Sequence, residues 1–349
     1  MKLKISDEAL AVAAAINKKH GADTIVLASK IRTDLIPRVP SGSLALDVVL
    51  GGGWPGNQWH ELIGEPSHGK SALALKTIAK NQALDPNWTA VWVAAEGWAP
   101  QWARDLGVDT DRVLIVETNI MEEAYDAAVD FAGSRTVDCI VIDSLPALMP
   151  TMEDEKELWE SVPGRRALLT GSFFRKVGQA TKRSLVETER PVLGLMVNQW
   201  RSKIGVLHGD PRTTPGGQGK DYAYWTRVEV RRDEWLEVGT GQDKRRIGQA
   251  IKFRTIKNKS AAPHQVGVVD FYFADGGPVR KGEFDFAKEI VALAVANDII
   301  ERKGAWYYLG DAKWQGTAPL LVNLREEPAL RERVEREVLD LLRAAHLAA

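Results

Sequence analysis

Two short runs decide most of what this chain can fold into. Residues 139–142 read Cys-Ile-Val-Ile, and residues 192–197 read Val-Leu-Gly-Leu-Met-Val. Each is apolar at nearly every position and too short to be a core helix. A strand with one wet face would alternate. A strand apolar throughout needs cover on both faces, which a largely parallel sheet flanked by helices supplies. The surrounding sequence agrees. WHELI (59–63) and TAVWVAA (89–95) read as further buried strands. SALALKTIAKNQ (71–82), EEAYDAAVDFA (122–132) and GSFFRKVGQATKRSL (171–185) carry helical spacing. The runs at 227–232, 250–258 and 268–274 alternate more and lie closer together, so antiparallel additions are expected at one end of the sheet.

The ends read differently. Ser6 is a helix cap, Asp7 and Glu8 suit a first turn, and Ala9 to Lys19 continues the helix to a stop near Gly21. A polar stretch with Pro37 and Pro40 follows. From about Gly282 a helical segment, the short strand WYYLG and a charged amphipathic helix suggest a small α+β unit. The expected division is an N-terminal helix and linker (1–35), a main α/β core (36–278) and a C-terminal α+β unit (279–349).

Composition excludes several classes. Of 349 residues, 27% are charged and 44% apolar, an ordinary globular balance. No apolar run reaches the roughly 18 residues of a membrane span, and MKLKISDEAL has no apolar core of a secretory signal after it. Cys139 is the one cysteine, so an intrachain disulfide is excluded. It reads as a buried filler, and a reducing, cytoplasmic location is expected. The net charge of −1 does not point to nucleic acid, but its distribution is uneven. Ser161–Arg183 holds six basic residues (Arg165, Arg166, Arg175, Lys176, Lys182, Arg183) and no acid; Gln199–Lys259 holds fourteen basic and seven acidic. By themselves such runs read first as a solvated face.

One loop carries chemistry. Gly64-Glu65-Pro66-Ser67-His68-Gly69-Lys70-Ser71 fits GxxxxGK[ST] between an expected strand and an expected helix. Its backbone N–H groups and the helix N-terminus suit phosphate oxygens. Lys70 would reach the β- and γ-phosphates of ATP, and the Ser71 hydroxyl would hold Mg²⁺. His68 lies within this cradle as a filler of the loop, not a ligand. Asp143, closing CIVID, is the expected second anchor for Mg²⁺, although a strand-ending Asp is also a plain cap. Glu96, closing TAVWVAAE, can polarise a water in line with the γ-phosphate. Trp102 is a candidate to stack on the base, with core packing the alternative.

The order of these motifs resembles one family, the RecA-type homologous recombinases. The resemblance is collinear over roughly residues 35–310. It rests on SGSLALDVVLGGG (41–53), the phosphate loop, AAEGWAPQWARDLGVD (94–109), VDCIVIDSLPALMP (137–150), NQWRSKIGVLHGDPRTTPGGQGKDYAYWTRVEVRR (198–232) and IKNKSAAP (256–263). It implies a RecA-like P-loop NTPase core with an N-terminal helix arm and a small α+β C-terminal domain.

Roles follow from the resemblance residue by residue. Glu96 matches the acid that activates the attacking water. Gln199 matches the sensor of the γ-phosphate. The loop from Trp200 to about Gln218, with Arg201 and Lys203, is similar to the second DNA-binding loop; Ile204 matches its wedge between bases, and Gly216 and Gly217 its phosphate-gripping pair. Lys257 and Lys259 resemble the pair that reaches the ATP of a neighbouring protomer. Gly164, Arg165, Arg166 and Arg175 fall in and after the first DNA-binding loop. The helix Asp7–Lys19 would join one protomer to the next. Some positions depart from the pattern. Pro163 stands where an apolar residue is usual, Arg165 and Arg166 replace small apolar types, His208 replaces a Phe, Ala99 lies where an adenine-binding aspartate is expected, and Trp102 replaces a tyrosine.

The function so implied is a DNA-dependent ATPase. It would form ATP–Mg²⁺-bound helical filaments on single-stranded DNA and exchange strands with homologous duplex DNA, with no membrane partner. A ring-forming helicase on the same core and a non-catalytic recombination mediator are the alternatives.

Overall fold

The computed structural model describes residues 5–21, 24–30, 37–154, 164–181, 190–202 and 211–348. Lys203 and Ile204, together with Pro163, Lys182, Arg183 and His208, lie outside these described residues.

The two constraining runs become the centre of a large sheet. Its strands are β1 (Trp59–Ile63), β2 (Ala90–Ala94), β3 (Val113–Val116), β4 (Cys139–Asp143), β5 (Leu193–Asn198), β6 (Thr226–Val238), β7 (Arg245–Asn258) and β8 (Val266–Tyr272). They form one 8-stranded sheet in the order β8-β7-β6-β1-β5-β4-β2-β3. Neighbours from β6 to β3 pair in parallel, whereas β7 runs antiparallel to both β6 and β8. The alternating segments are therefore the antiparallel additions expected, except that β6 itself joins the parallel set.

Helices cover both faces. The described helices before the C-terminal unit are α1 (Asp7–His20), α2 (Leu44–Leu50), α3 (Lys70–Leu84), α4 (Pro100–Asp105), α5 (Met121–Ser134), α6 (Thr151–Asp154), α7 (Arg165–Ala180) and α8 (Gly219–Ala223). One apolar cluster joins α2 and α3 to the sheet through Leu46, Leu50, Leu73 and Ile78. A second, on the opposite face, gathers α5 and α7 around Phe173, whose ring stacks on Tyr125 at 4.3 Å. Cys139 is fully buried between strands. At the N-terminus, Ser6 caps α1 by accepting from Ala9 N at 3.3 Å, and Gly21 (φ 113°) ends it.

The C-terminal unit packs around its own small core. It comprises α9 (Phe286–Ala296), β9 (Glu301–Lys303), β10 (Trp306–Leu309), β11 (Ala312–Gln315), α10 (Thr317–Glu326) and α11 (Pro328–Ala348). The sequence reads DFAKEIVALAVANDIIERKG (285–304) as one helix, but the helix ends at Ala296 and β9 pairs antiparallel with β10. The joint with the main body combines an apolar contact, Leu44 of α2 in that core, with polar ones. Glu289 on α9 takes hydrogen bonds from the Ser43 hydroxyl and from Ala45 N (3.1 Å), and so caps α2 from another unit. Asp47 lies beside it and accepts from Ser41 N at 2.7 Å. Burial pushes Glu289 up to about 8 and Asp47 to about 7.

Candidate nucleotide and nucleic-acid site

The ends of β1, β2, β4 and β5 meet at one edge of the sheet, where open α/β sheets bind ligands. Gly64 leaves β1 and α3 begins at Lys70. Between them the chain turns back through Ser67 (φ 61°) and Gly69 (φ 94°). A side chain on Gly69 would be strained, because its backbone is left-handed and a Cβ there would lie 2.4 Å from Ile251 Cδ1. No side chain caps α3, so its first N–H groups remain for an anion. Lys70 is buried and donates from Nζ to the Glu65 carbonyl across the loop at 2.7 Å. Burial lowers its pKa, opposed by the carboxylates of Asp143, Glu96 and Glu65. His68 is held below its ordinary pKa by burial, then by Arg232 and Lys70.

Ser71 and Asp143 are brought together: burial raises the Asp143 carboxyl to about 6, and the nearby Ser71 hydroxyl opposes that rise. This hydroxyl–carboxylate pair is an oxygen donor set that suits Mg²⁺, which would be held by Ser71 and Asp143. Glu96 is exposed just past β2. Its backbone N–H and that of Ala95 both donate to the Asp143 carbonyl (3.3 and 3.0 Å). Ser144, fully buried, donates its hydroxyl to Glu96 Oε1. Lysine, hydroxyl–carboxylate pair and acid thus share one edge. Trp102, on α4, is half-buried with its ring edge-to-face with Phe271 at 6.0 Å, and it packs against the first apolar cluster.

Gln199 follows β5 and donates its N–H to Asn198 Oδ1 at 2.9 Å. Arg201–Ser202 then pairs antiparallel with Arg212–Thr213, so the second loop rises on a short hairpin base. Arg201 is exposed, and Arg212 stacks over Trp200 at 4.6 Å. The loop closes at Gly216 and Gly217. A Cβ on Gly217 (φ 77°) would fall 2.7 Å from Ala167 Cβ, so this loop seats directly on the start of α7. Gly164 (φ 78°) opens α7. The cations of α7 divide into two kinds. Arg165 lies 3.7 Å from Glu122 and Arg166 lies 3.8 Å from Glu153, whereas Arg175 stands exposed on the solvent side.

Lys259 lies level with the start of β1, and Lys257 level with its middle. Lys257 sits level with Arg227, and Arg227 level with Glu61. Lys257 Nζ donates to the carbonyls of Asp221 (2.6 Å) and Tyr222 (2.9 Å), and Lys259 Nζ to Tyr222 at 3.2 Å.

Two features escaped the sequence reading. Glu61, wholly buried, ion-pairs with Arg227 at 2.6 Å. Beside the second loop, Arg212, Arg231, Lys252 and Arg254 line a cavity of about 280 Å³ with Glu229. Their signal was the alternating basic residues of 227–232 and 250–258.

A GxxxxGKS loop at the end of a parallel strand, with acids closing the adjacent pair β4 and β2 of the same sheet, defines a P-loop NTPase. Comparison with known proteins narrows this. The RecA N-terminal domain family matches residues 7–277, and the RecA C-terminal domain family matches residues 288–343. Protein RecA of Lactobacillus delbrueckii subsp. bulgaricus is 34% identical over 332 residues, covering 94% of each chain. Protein RecA of Roseiflexus castenholzii is 34% identical over 348 residues, 98% of this chain and 92% of its own. The chain belongs to the RecA family of recombinases. No helix among the described residues is long and apolar enough to cross a membrane.

Proposed function

We propose that this chain is a DNA-dependent ATPase that assembles on single-stranded DNA as an ATP-bound helical filament and exchanges that strand with homologous duplex DNA. The observation that carries the reading is the separation of cradle and lysines. The phosphate loop follows Ile63, the last residue of β1, while Lys259 N–H donates to the Trp225 carbonyl, and Trp225 N–H donates to that of Trp59, the first residue. The two ends of β1 are about 13 Å apart at ~3.3 Å per residue. Lys259 is set back from the loop by that length and Lys257, level with Glu61, by about half of it, and cations so placed serve a neighbour's triphosphate better than their own. A second observation supports assembly: α1 buries no residue, and leaves Leu10 and Val12 exposed, a face suited to docking on the next core. Arm (1–35), core (36–278) and C-terminal unit (279–349) divide the work accordingly.

The residues then take these roles. The loop from Gly64 to Ser71 and the N-terminus of α3 bind the phosphates, with Lys70 released from Glu65 as they enter. Mg²⁺, when bound, would neutralise charge on the phosphate oxygens between Ser71 and Asp143. Glu96 accepts a proton from the attacking water. Lys257 and Lys259 of the adjacent protomer stabilise the transferring phosphoryl group. Gln199 reports the phosphate to the hairpin that carries Arg201. Arg175, Arg201 and the N–H groups at Gly164, Gly216 and Gly217 hold DNA phosphates, which suits sequence-neutral binding. The basic cavity beside Arg212 offers a path for the second DNA partner.

Glu96→Gln tests the reading. Turnover should be lost while filaments on single-stranded DNA persist in electron micrographs. Closed hexameric rings would favour the helicase alternative. A chain that stays monomeric with ATP analogue and oligonucleotide would overturn the proposal.

A further inference from the structure

Glu61 interrupts an apolar strand, and its surroundings explain why. Glu61, Arg227 and Lys257 stand in one register row across β1, β6 and β7. Residues in register present their side chains to the same face. Each Glu61 oxygen serves a different side. Oε2 accepts from Arg227 Nε at 2.6 Å, and Oε1 accepts from Asn198 Nδ2 at 2.6 Å. Asn198 in turn receives the N–H of Gln199. Above the row, Asp221 on α8 lies 3.1 Å from Arg227 and 2.6 Å from Lys220, and its carbonyl receives Lys257 Nζ. Lys220 is 1% exposed and lies 3.8 Å from Glu61.

Such a cluster is costly to bury, and apolar residues of the same volume would often be no less stable. Its position gives it a use. The groups facing Lys257 are Lys259 on its own segment, Arg227 on β6, Glu61 on β1, and Asp221 and Lys220 on α8. Burial lowers Lys257 to about 8, Lys259 and Arg227 add to this, and Asp221 and Glu61 oppose it. The two carboxylates therefore act against deprotonation of the lysine near neutral pH.

We propose that Glu61, assisted by Asp221, is a positioning residue that keeps Lys257 seated and cationic for the neighbouring triphosphate and links it through Asn198 to Gln199. This rests on the trans-acting role of Lys257 argued above.

The test compares Glu61→Gln, Asp221→Asn and Lys257→Met in the full chain. The readout is DNA-stimulated ATP hydrolysis, as kcat and KM, from pH 6.5 to 9; filament assembly with a non-hydrolysable analogue reports folding. In the unaltered chain, kcat should fall on an alkaline limb as Lys257 loses its proton. Glu61→Gln should move that limb down by about one pH unit and lower kcat about tenfold near pH 8, with KM little changed. Asp221→Asn should act in the same direction and less. If Lys257→Met is inactive while both carboxylate variants keep the original limb, the proposal fails and the trans role stands. If Lys257→Met retains full turnover, the trans role itself fails. Should Glu61→Gln not fold, Asp221→Asn, whose carboxylate is partly exposed, decides alone.

Discussion

Ser144 donates its hydroxyl to Glu96 Oε1, so the acid at the end of β2 is held by the residue that follows Asp143. The dipeptide proposed to anchor the metal also holds the acid. Removing a hydrogen bond to a charged group costs about 1.5–3 kcal/mol when it acts in the transition state. Ser144→Ala should therefore lower ATP turnover at least tenfold, roughly, with nucleotide affinity nearly unchanged. Ser144→Thr, which keeps the hydroxyl, should lose less. Steady-state hydrolysis beside equilibrium nucleotide titration checks this.

Arg175 is exposed on α7, whereas Arg165 and Arg166 lie near Glu122 and Glu153. Arg175→Ala should weaken binding of single-stranded DNA of any sequence. It should also reduce the slope of log affinity against log salt by about 0.7, the share of one phosphate contact on a single strand. Arg165→Ala should change the slope less. Fluorescence anisotropy over a salt series separates the two.

Gly217 bears on both loops. A methyl group there meets Ala167 at 2.7 Å in a left-handed backbone conformation. The strain is about 1–3 kcal/mol. Gly217→Ala should unseat the second loop from α7, so that DNA stimulation of hydrolysis drops about tenfold while nucleotide binding without DNA is retained. Parallel assays with and without oligonucleotide would reveal it.

The joint of α9 and α2 should respond to pH. Glu289 is raised from 4.5 to about 8 and Asp47 from 3.8 to about 7, so the folded chain holds both protons more tightly than the unfolded one. Their stabilising contribution is full below the unfolded pKa values. It is lost as pH climbs towards 7 for Asp47 and towards 8 for Glu289. Thermal stability should decline from pH 5 to 8. Glu289→Gln, which keeps an acceptor for Ser43 and Ala45, should flatten part of that decline. Melting curves across this window test it.

The legible parts of the fold were those with local signals. β1, the phosphate loop and α3 follow from a strand, a glycine turn and helical spacing in adjacent residues. β4 and β5 follow from apolar continuity. Helix α2 was not legible, because LALDVVL is buried on most sides and lacks a wet face to set its period. β3 is only four residues long at the sheet edge. In the site, Lys70, Ser71 and Asp143 stand beside the motif elements that announce them. Glu61 was visible as an acid within an apolar run, but its partner Arg227 lies 166 residues away. Local pattern has no access to such a pairing. The near neighbours of Arg165 and Arg166 were equally out of reach, which is why a basic run in sequence became partly compensated charge in space.

The placement of Lys259 level with the start of β1, while the phosphate loop leaves its end, has a geometric consequence. Under the proposed reading, one subunit's lysines serve the next subunit's cradle. With those two features on different faces, the contact joins unlike surfaces and repeats instead of closing on itself. An assembly built on it would have two unlike termini, one with an empty cradle and the other with a pair of unused ammonium groups. Addition and loss of subunits there would be different reactions, giving such an assembly a sense of direction before any DNA sequence is read.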